Sequence, residues 1–439
     1  MRWLIKDARL LDPDRGVDRV ADLLIENGKI AKIGMGLAVE GDHEVIEAAG
    51  MVLCPSFIDI HVHLREPGRE YAETIESGVR AAAAGGFGAV ACMPNTDPPL
   101  DNHAMVRYVI DQALKYGPVE VMPIGCITRG RAGERLAEFG EMVDAGAVGV
   151  SDDGDPVSDS SLMRRALEYA QQFEIPIFTH PEDRSLSRNG VMNEGVVSTR
   201  LGLKGIPKQA EEIGIARDIE LTALTGGRLH VLHVSSAGGV ELVRRAKERG
   251  LNVTAETAPH YLALTDEALT GYDTNRKMNP PLRTSADREA LRRGVAEGVL
   301  EVIATDHAPH PVHEKEAEFD RAPFGVLGLE TALGVLVTHC VRPGHLTLET
   351  VIERLTAGPS GVLGREHRGI REGEEAALTL FAPEESWVVD PGRLHSISRN
   401  TAFGGERLFG VVKALFLGEE MIPSDEGTSS EDRPATMVS

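Results

Sequence analysis

The chain has 439 residues, 42% of them hydrophobic, and a formal net charge of -22, enough for one large α/β domain plus a smaller one. Without a basic stripe to neutralise phosphates, this charge excludes nucleic acid and anionic membranes as partners, and an anionic ligand requires positive charge gathered locally. No run reaches the roughly eighteen apolar residues of a membrane span, and Cys54, Cys92, Cys126 and Cys340 lack C-x-x-C spacing, so buried free thiols in a reducing cytoplasm are expected.

Residues 1–54 hold the strand-like runs "WLIKDARLL", "DLLIENGKIAKIG" and "HEVIEAAGMVLCP", with Asn27-Gly28 as a hairpin turn. From 55 to 364, short β-branched runs alternate with amphipathic helical ones. The former are "FIDIHVHL", "FGAVACMPN", "VEVMPIGCIT", "AVGVSDDG", "IPIFTHPED", "LHVLHVSS", "LNVTAETAPH" and "LEVIATDHAPH". Eight strand-helix units predict an α/β fold, a (β/α)8 TIM-like barrel of the metal-dependent hydrolase type. Strand texture returns in 365–422, where "GEEAALTLFAP", "ESWVVD" and "RLFGVVKALFLGEEMI" predict the second part of a small split β-sandwich begun by 1–54. The polar, acidic stretch 423–439 is expected to be disordered.

Nearly every barrel run is apolar first and polar last. His61, His63, Asn95, Asp152, Asp153, His180, His233, His260, Asp306 and His307 therefore collect at the C-terminal ends of the strands, which form one rim of such a barrel. In "FIDIHVHLREPG" the histidines are two apart and share a strand face. Helix N-caps explain an isolated aspartate but not histidine at successive strand ends, so a one- or two-metal site is predicted, with zinc favoured by imidazole. His230 and His233 lie on opposite faces of strand six; His233, nearer the rim, is the better ligand, and His230 reads as packed. Asp152 and Asp153 cannot both point inward, and the pattern does not choose between them. Arg65 supplies local positive charge beside the histidines, although a lone arginine is more often a surface ion-pair residue. Glu66 reads as shaping the turn before Pro67.

The runs "DIHVHLREPG", "MPNT", "SDDG", "TH", "HVSS", "MNPPLR", "TDHAPH" and "SRNTAFGG" resemble, over almost the whole chain, the stand-alone bacterial dihydroorotases of the amidohydrolase superfamily. The resemblance implies zinc-dependent, reversible cyclisation of N-carbamoyl-L-aspartate to L-dihydroorotate in de novo pyrimidine biosynthesis. It implies His61, His63 and Asp306 as metal ligands on one side, His180 and His233 on the other, and Asp153 as the bridge. "GAVGVSDDG" departs from the many amidohydrolases that bridge through a carboxylated lysine on strand four. Asp306 is implied as the catalytic base and then acid. His63, Leu64, Arg65, Asn95, Asn279 and His310 are implied as substrate contacts, with Phe324 and Gly325 acting through backbone groups.

By the same reading "PVHEKEAEFDRAP" is a mobile cover containing a solvated His313, and His260 and His307 support the ligands. A hydantoinase or allantoinase shares the fold and metal chemistry, but its substrate brings no carboxylate for Arg65. A non-catalytic scaffold for aspartate carbamoyltransferase is the other reading, and against it every expected ligand type is present. Association with that enzyme and a homo-oligomer are the assemblies expected.

Overall fold

A computed structural model describes residues 1–424; of the expected tail, Pro423 closes the last strand and residues 425–439 lie outside those described. The N-terminal strands are β1 (Arg2–Asp12), β2 (Val17–Glu26), β3 (Lys29–Gly34), β4 (Glu44–Glu47) and β5 (Val52–Pro55). Between β2 and β3 the chain turns at Asn27 and Gly28, both with positive φ (53° and 72°), the conformation a two-residue hairpin needs.

The barrel follows with β6 (Phe57–Val62), β7 (Phe87–Cys92), β8 (Glu120–Pro123), β9 (Val150–Ser151) and β10 (Ile177–Thr179). A short excursion pairs β11 (Met192–Asn193) with β12 (Gly205–Ile206), before β13 (Leu229–Val231), β14 (Val253–Thr257) and β15 (Val302–Ile303) complete the ring. All eight barrel strands run parallel. Bridges Gly125–Val150 and Val62–His307 join the two arcs, so the barrel is closed. Ile60, Ala91, Met122, Ile124, Phe178, Leu232, Val302 and Ala304 fill its interior.

The seam between β6 and β15 is held by a carboxylate. Asp59 accepts the backbone N–H groups of His61 (3.0 Å) and Thr305 (3.1 Å), where the β6 ladder is irregular between Asp59 and Val62. Outside, capped helices cover the strands. Thr74 and Ser77 form a capping box for helix Ile75–Ala84, and Glu66 accepts from Ile75 N (2.8 Å) and Tyr108 OH (3.0 Å), which ties the loop after β6 to the start of this helix.

The C-terminal strands β16 (Ala377–Val388), β17 (Arg407–Leu417) and β18 (Glu420–Pro423) join the N-terminal ones in a single sheet of order β18-β17-β16-β5-β1-β2-β3, with β4 beside β1. Trp3 of β1 and Phe416 of β17 are three strands apart, ~14 Å in a flat sheet, yet their rings lie 5.8 Å apart. The sheet therefore folds over its own core of Trp3, Ile5, Leu23, Ile25, Leu380 and Phe416, which makes the two chain ends one sandwich-like unit. The connection 389–406 leaves this unit and returns to the barrel rim, where Ser398 Oγ donates to Ala72 O (2.7 Å). All four cysteines are buried and free.

Candidate active site

The barrel topology brings six predicted side chains together. His61 is the last but one residue of β6 and His63 follows the strand; Asp153, His180, His233 and Asp306 lie one to three residues beyond β9, β10, β13 and β15. None is more than 7% exposed. Asp153 sits at the centre: its Oδ1 is 3.4 Å from His180 Nδ1 and 3.7 Å from both His61 Nε2 and His233 Nε2, and its Oδ2 is 3.6 Å from His63 Nε2. Asp306 Oδ1 lies 3.1 Å from His63 Nε2 and 3.4 Å from His61 Nε2. His180 Nδ1 and His233 Nε2 are 2.8 Å apart. Asp152 turns away, accepting from the backbone N–H groups of Ile127 (2.9 Å) and Thr128 (3.1 Å) and from the Thr128 hydroxyl. The choice that the pattern left open thus falls on Asp153.

Backbone strain accompanies the cluster. Arg65, His233 and Asp306 have φ of 62°, 35° and 48°, a left-handed region that costs a side-chain-bearing residue on the order of 1 kcal/mol or more. Such conformations aim side chains where a regular strand end does not.

Charge decides what the cluster can hold. Burial alone raises a carboxyl, but the imidazoles of His180, His233 and His61 close by outweigh it and hold Asp153 well below its usual range. Asp306 is likewise lowered against burial, by His61 and His63. Burial disfavours charge on His61 and His180, yet Glu256 and Asp306 raise the former, and Asp153 and Glu182 raise the latter to about 10. This is a field that favours positive charge among the imidazoles, a divalent cation included. His61 Nε2 and Asp153 Oδ1 are buried without a hydrogen-bond partner, and the donor atoms of His61, Asp153 and His233, and of His61, His63 and Asp306, converge within 4.8 Å. Imidazole and carboxylate donors in such triads fit a metal of the zinc type.

Three carboxylates that the sequence reading passed over support this arrangement. Glu256 on β14 takes His61 Nδ1 (2.6 Å) on one oxygen and His230 Nε2 (3.0 Å) on the other, while His230 Nδ1 meets Thr254 Oγ1 (2.8 Å). His230 is thus a packed histidine that orients the orienter. Glu182 lies 3.7 Å from His180 Nε2, and Asp59 fixes the backbone of His61. Glu256→Gln should lower metal affinity about 10- to 100-fold with the fold intact, because His61 loses its ionised partner. Competition with a chromophoric chelator, alongside circular dichroism, measures this; unchanged affinity means Glu256 has no part in holding metal.

The expected substrate contacts are placed unevenly. His63 Nδ1 donates to Asn95 Oδ1 (2.9 Å), so Asn95 orients a cluster histidine. Asn279 Nδ2 reaches His180 Nε2 (3.4 Å). Arg65 is buried, with Nε donating to Pro309 O (3.2 Å) and Nη2 to His310 Nε2 (3.4 Å), and no carboxylate pairs with it among the described residues. Leu64 packs its side chain into the core against Gly78.

At Gly325 the N–H donates to Lys277 O (2.9 Å) and the carbonyl accepts from Lys315 Nζ (3.0 Å) and Asn400 Nδ2 (3.1 Å). What it contributes is space, since a Cβ there would lie 2.8 Å from His310 Cδ2. Phe324 stacks under Lys277, 4.7 Å from ring centre to Nζ.

Two lysines bind backbone carbonyls in the segment expected as a mobile cover. Buried Lys277 donates to the carbonyls of Phe319 (2.6 Å) and Ala322 (2.6 Å), and buried Lys315 to those of Pro323 (2.9 Å) and Gly325. His313 is exposed, as expected. His307 turns from the cluster to Glu73 (3.3 Å), which also accepts from the hydroxyls of Ser77 and Ser396. His260 is buried beside Tyr261 with its Nε2 unpartnered, and burial pulls it down to about 4.

Comparison with known proteins agrees with this geometry. A family model described as dihydro-orotase-like matches residues 50–238. The chain is 50% identical over 422 residues to a dihydroorotase of Pelobacter propionicus, covering 96% of this chain and 99% of that one. It is 53% identical over 410 residues to a dihydroorotase of Syntrophotalea carbinolica, covering 93% and 96%. Among solved structures, an L-hydantoinase (dihydropyrimidinase) from Arthrobacter aurescens superposes with a TM-score of 0.86 at 25% identity, over 96% of both chains. A dihydropyrimidinase from Brevibacillus agri, at 22% identity and a TM-score of 0.83 over 96% and 95%, shares the fold.

Proposed function

The chain belongs to the dihydroorotase family, and we accordingly propose that it interconverts N-carbamoyl-L-aspartate and L-dihydroorotate, the ring-closing step of de novo pyrimidine biosynthesis. We assign zinc, as one or two ions, to His61, His63, Asp153, His180, His233 and Asp306. The observation that carries the substrate reading is Arg65, a buried guanidinium without a carboxylate partner at the edge of the cluster. Burial pulls it down to about 10, which leaves it charged at neutral pH. Dihydroorotate brings a carboxylate that does not react; hydantoin and allantoin bring none. The Nε and Nη2 contacts to Pro309 and His310 leave the Nη1/Nη2 edge for a bidentate carboxylate.

When bound, zinc supplies Lewis-acid polarisation of the reacting carbonyl and acidifies water. Asp306, held ionised, takes the proton of the water that attacks the ring amide and passes it to the leaving ring nitrogen. In the synthetic direction it takes a proton from the carbamoyl nitrogen as that nitrogen closes on the side-chain carboxylate, and returns it to the carboxylate oxygen that departs as hydroxide, which becomes water with a solvent proton. Asn95 holds His63 and Glu256 holds His61 throughout. Four free, buried cysteines support a cytoplasmic setting, and no helix among the described residues is long and apolar enough to cross a membrane.

The test is dihydroorotate hydrolysis, followed as loss of its ultraviolet absorbance, on protein whose metal content is measured in the same sample. Zinc-dependent turnover is expected. Opening of hydantoin or allantoin with dihydroorotate untouched overturns the substrate; failure with every cyclic amide, also in the presence of aspartate carbamoyltransferase, overturns catalysis and leaves the scaffold reading.

A further inference from the structure

The loop after β15 carries an acid that the assigned chemistry does not use. Glu314, in the short helix Val312–Lys315, accepts from His310 Nδ1 (2.9 Å) and from Arg69 Nη2 (3.4 Å). His310 is buried, its backbone N–H is held by Asn400 Oδ1 (3.1 Å), and the face of its ring has room because residue 325 is glycine. On its far side His310 Nε2 faces Arg65 Nη2 at 3.4 Å.

These partners determine the tautomer. An ionised carboxylate only accepts, so Nδ1 must carry the proton; a guanidinium only donates, so Nε2 must present its lone pair. Burial, with Arg65, Lys315 and Arg69 close by, keeps the ring neutral by pulling it down to about 2, so it has a single N–H to give. Glu314 also pairs with Arg69, the other arginine of the β6 loop, which leaves Arg65 as the loop arginine without an acid.

We propose that Glu314 is a positioning residue for the carboxylate clamp: it fixes the His310 proton on Nδ1 and thereby turns Nε2 toward Arg65, holding the guanidinium in place for the substrate acid. This rests on the substrate reading above. In Glu314→Gln the amide can donate to Nδ1 and move the ring proton to Nε2, where it opposes the Arg65 N–H. The pocket then keeps its residues and loses its alignment.

The experiment titrates wild type and Glu314→Gln, both zinc-loaded, with orotate, which keeps the carboxylate on a planar ring, and with uracil, which lacks it, by calorimetry. Orotate should bind about tenfold more weakly to the variant while uracil binding stays the same. In turnover, KM for dihydroorotate should rise with kcat within about twofold. Equal orotate binding by the two proteins overturns the proposal, and so does a loss shared equally by uracil, or a fall in kcat at constant KM. If wild type binds orotate but does not open dihydroorotate, the assigned reaction fails, while the orotate comparison still decides the role of Glu314.

Discussion

Asp306→Asn should lower turnover of dihydroorotate and of N-carbamoyl-L-aspartate by about 10³-fold or more, the upper range for loss of one general acid-base group. The size of the effect follows from the number of roles on one carboxylate. Asp306 Oδ1 meets both His63 and His61, so it completes a metal-type triad, and it is the ionised group assigned to carry the proton between water and ring nitrogen. An amide accepts no proton and is a poor metal ligand. Steady-state rates in both directions, with metal content measured on the same protein, check this. A variant that keeps full metal and more than a tenth of the rate would place the base elsewhere.

Arg65→Met is the second large effect, and its selectivity matters more than its size. Methionine keeps the apolar stem in a buried position and can occupy the same left-handed backbone at no greater cost, so the site should persist. What it loses is the charge that faces the substrate acid. Truncating one side of a buried, hydrogen-bonded charge pair costs about 2–5 kcal/mol, so kcat/KM for dihydroorotate should fall about 30- to 4,000-fold, with metal content unchanged. Any slow opening of dihydrouracil, which has no carboxylate, should be unaffected. Equal loss on both substrates would mean that Arg65 holds the loop and does not bind the acid.

The barrel and its rim were legible because nearly every strand carries its polar residue at its C-terminal end, and a parallel barrel gathers all such ends. The six clustered side chains are of this kind. Glu256, Asp59 and Glu182 escaped because one carboxylate in an apolar run resembles an N-cap, and only the closed ring reveals that Glu256 reaches His61 across 195 residues. A charge within "NVTAET", a run otherwise fit for a buried strand, was the available signal. Asp152 and Asp153 could not be told apart because β9 is two residues long and its end is set by bonds to Ile127 and Thr128. Lys277 and Lys315 carry no pattern that marks them, yet both ammonium groups are spent on backbone carbonyls. Exposure of a lysine is a base-rate expectation, and a loop short of hydrogen-bond partners reverses it.

The return of 389–406 to the barrel rim sets an order on synthesis. All six clustered side chains leave the ribosome well before Asn400, whose amide braces Ala308, Gly325 and His310, and before Ser396, whose hydroxyl meets Glu73. The connection is itself held at both ends by strands of one sheet, β16 and β17, and β16 pairs with β5 from the start of the chain. A nascent chain can therefore close its barrel and still lack an organised clamp. The pocket matures only when the two ends of the polypeptide have met, which ties the onset of its chemistry to completion of the whole molecule.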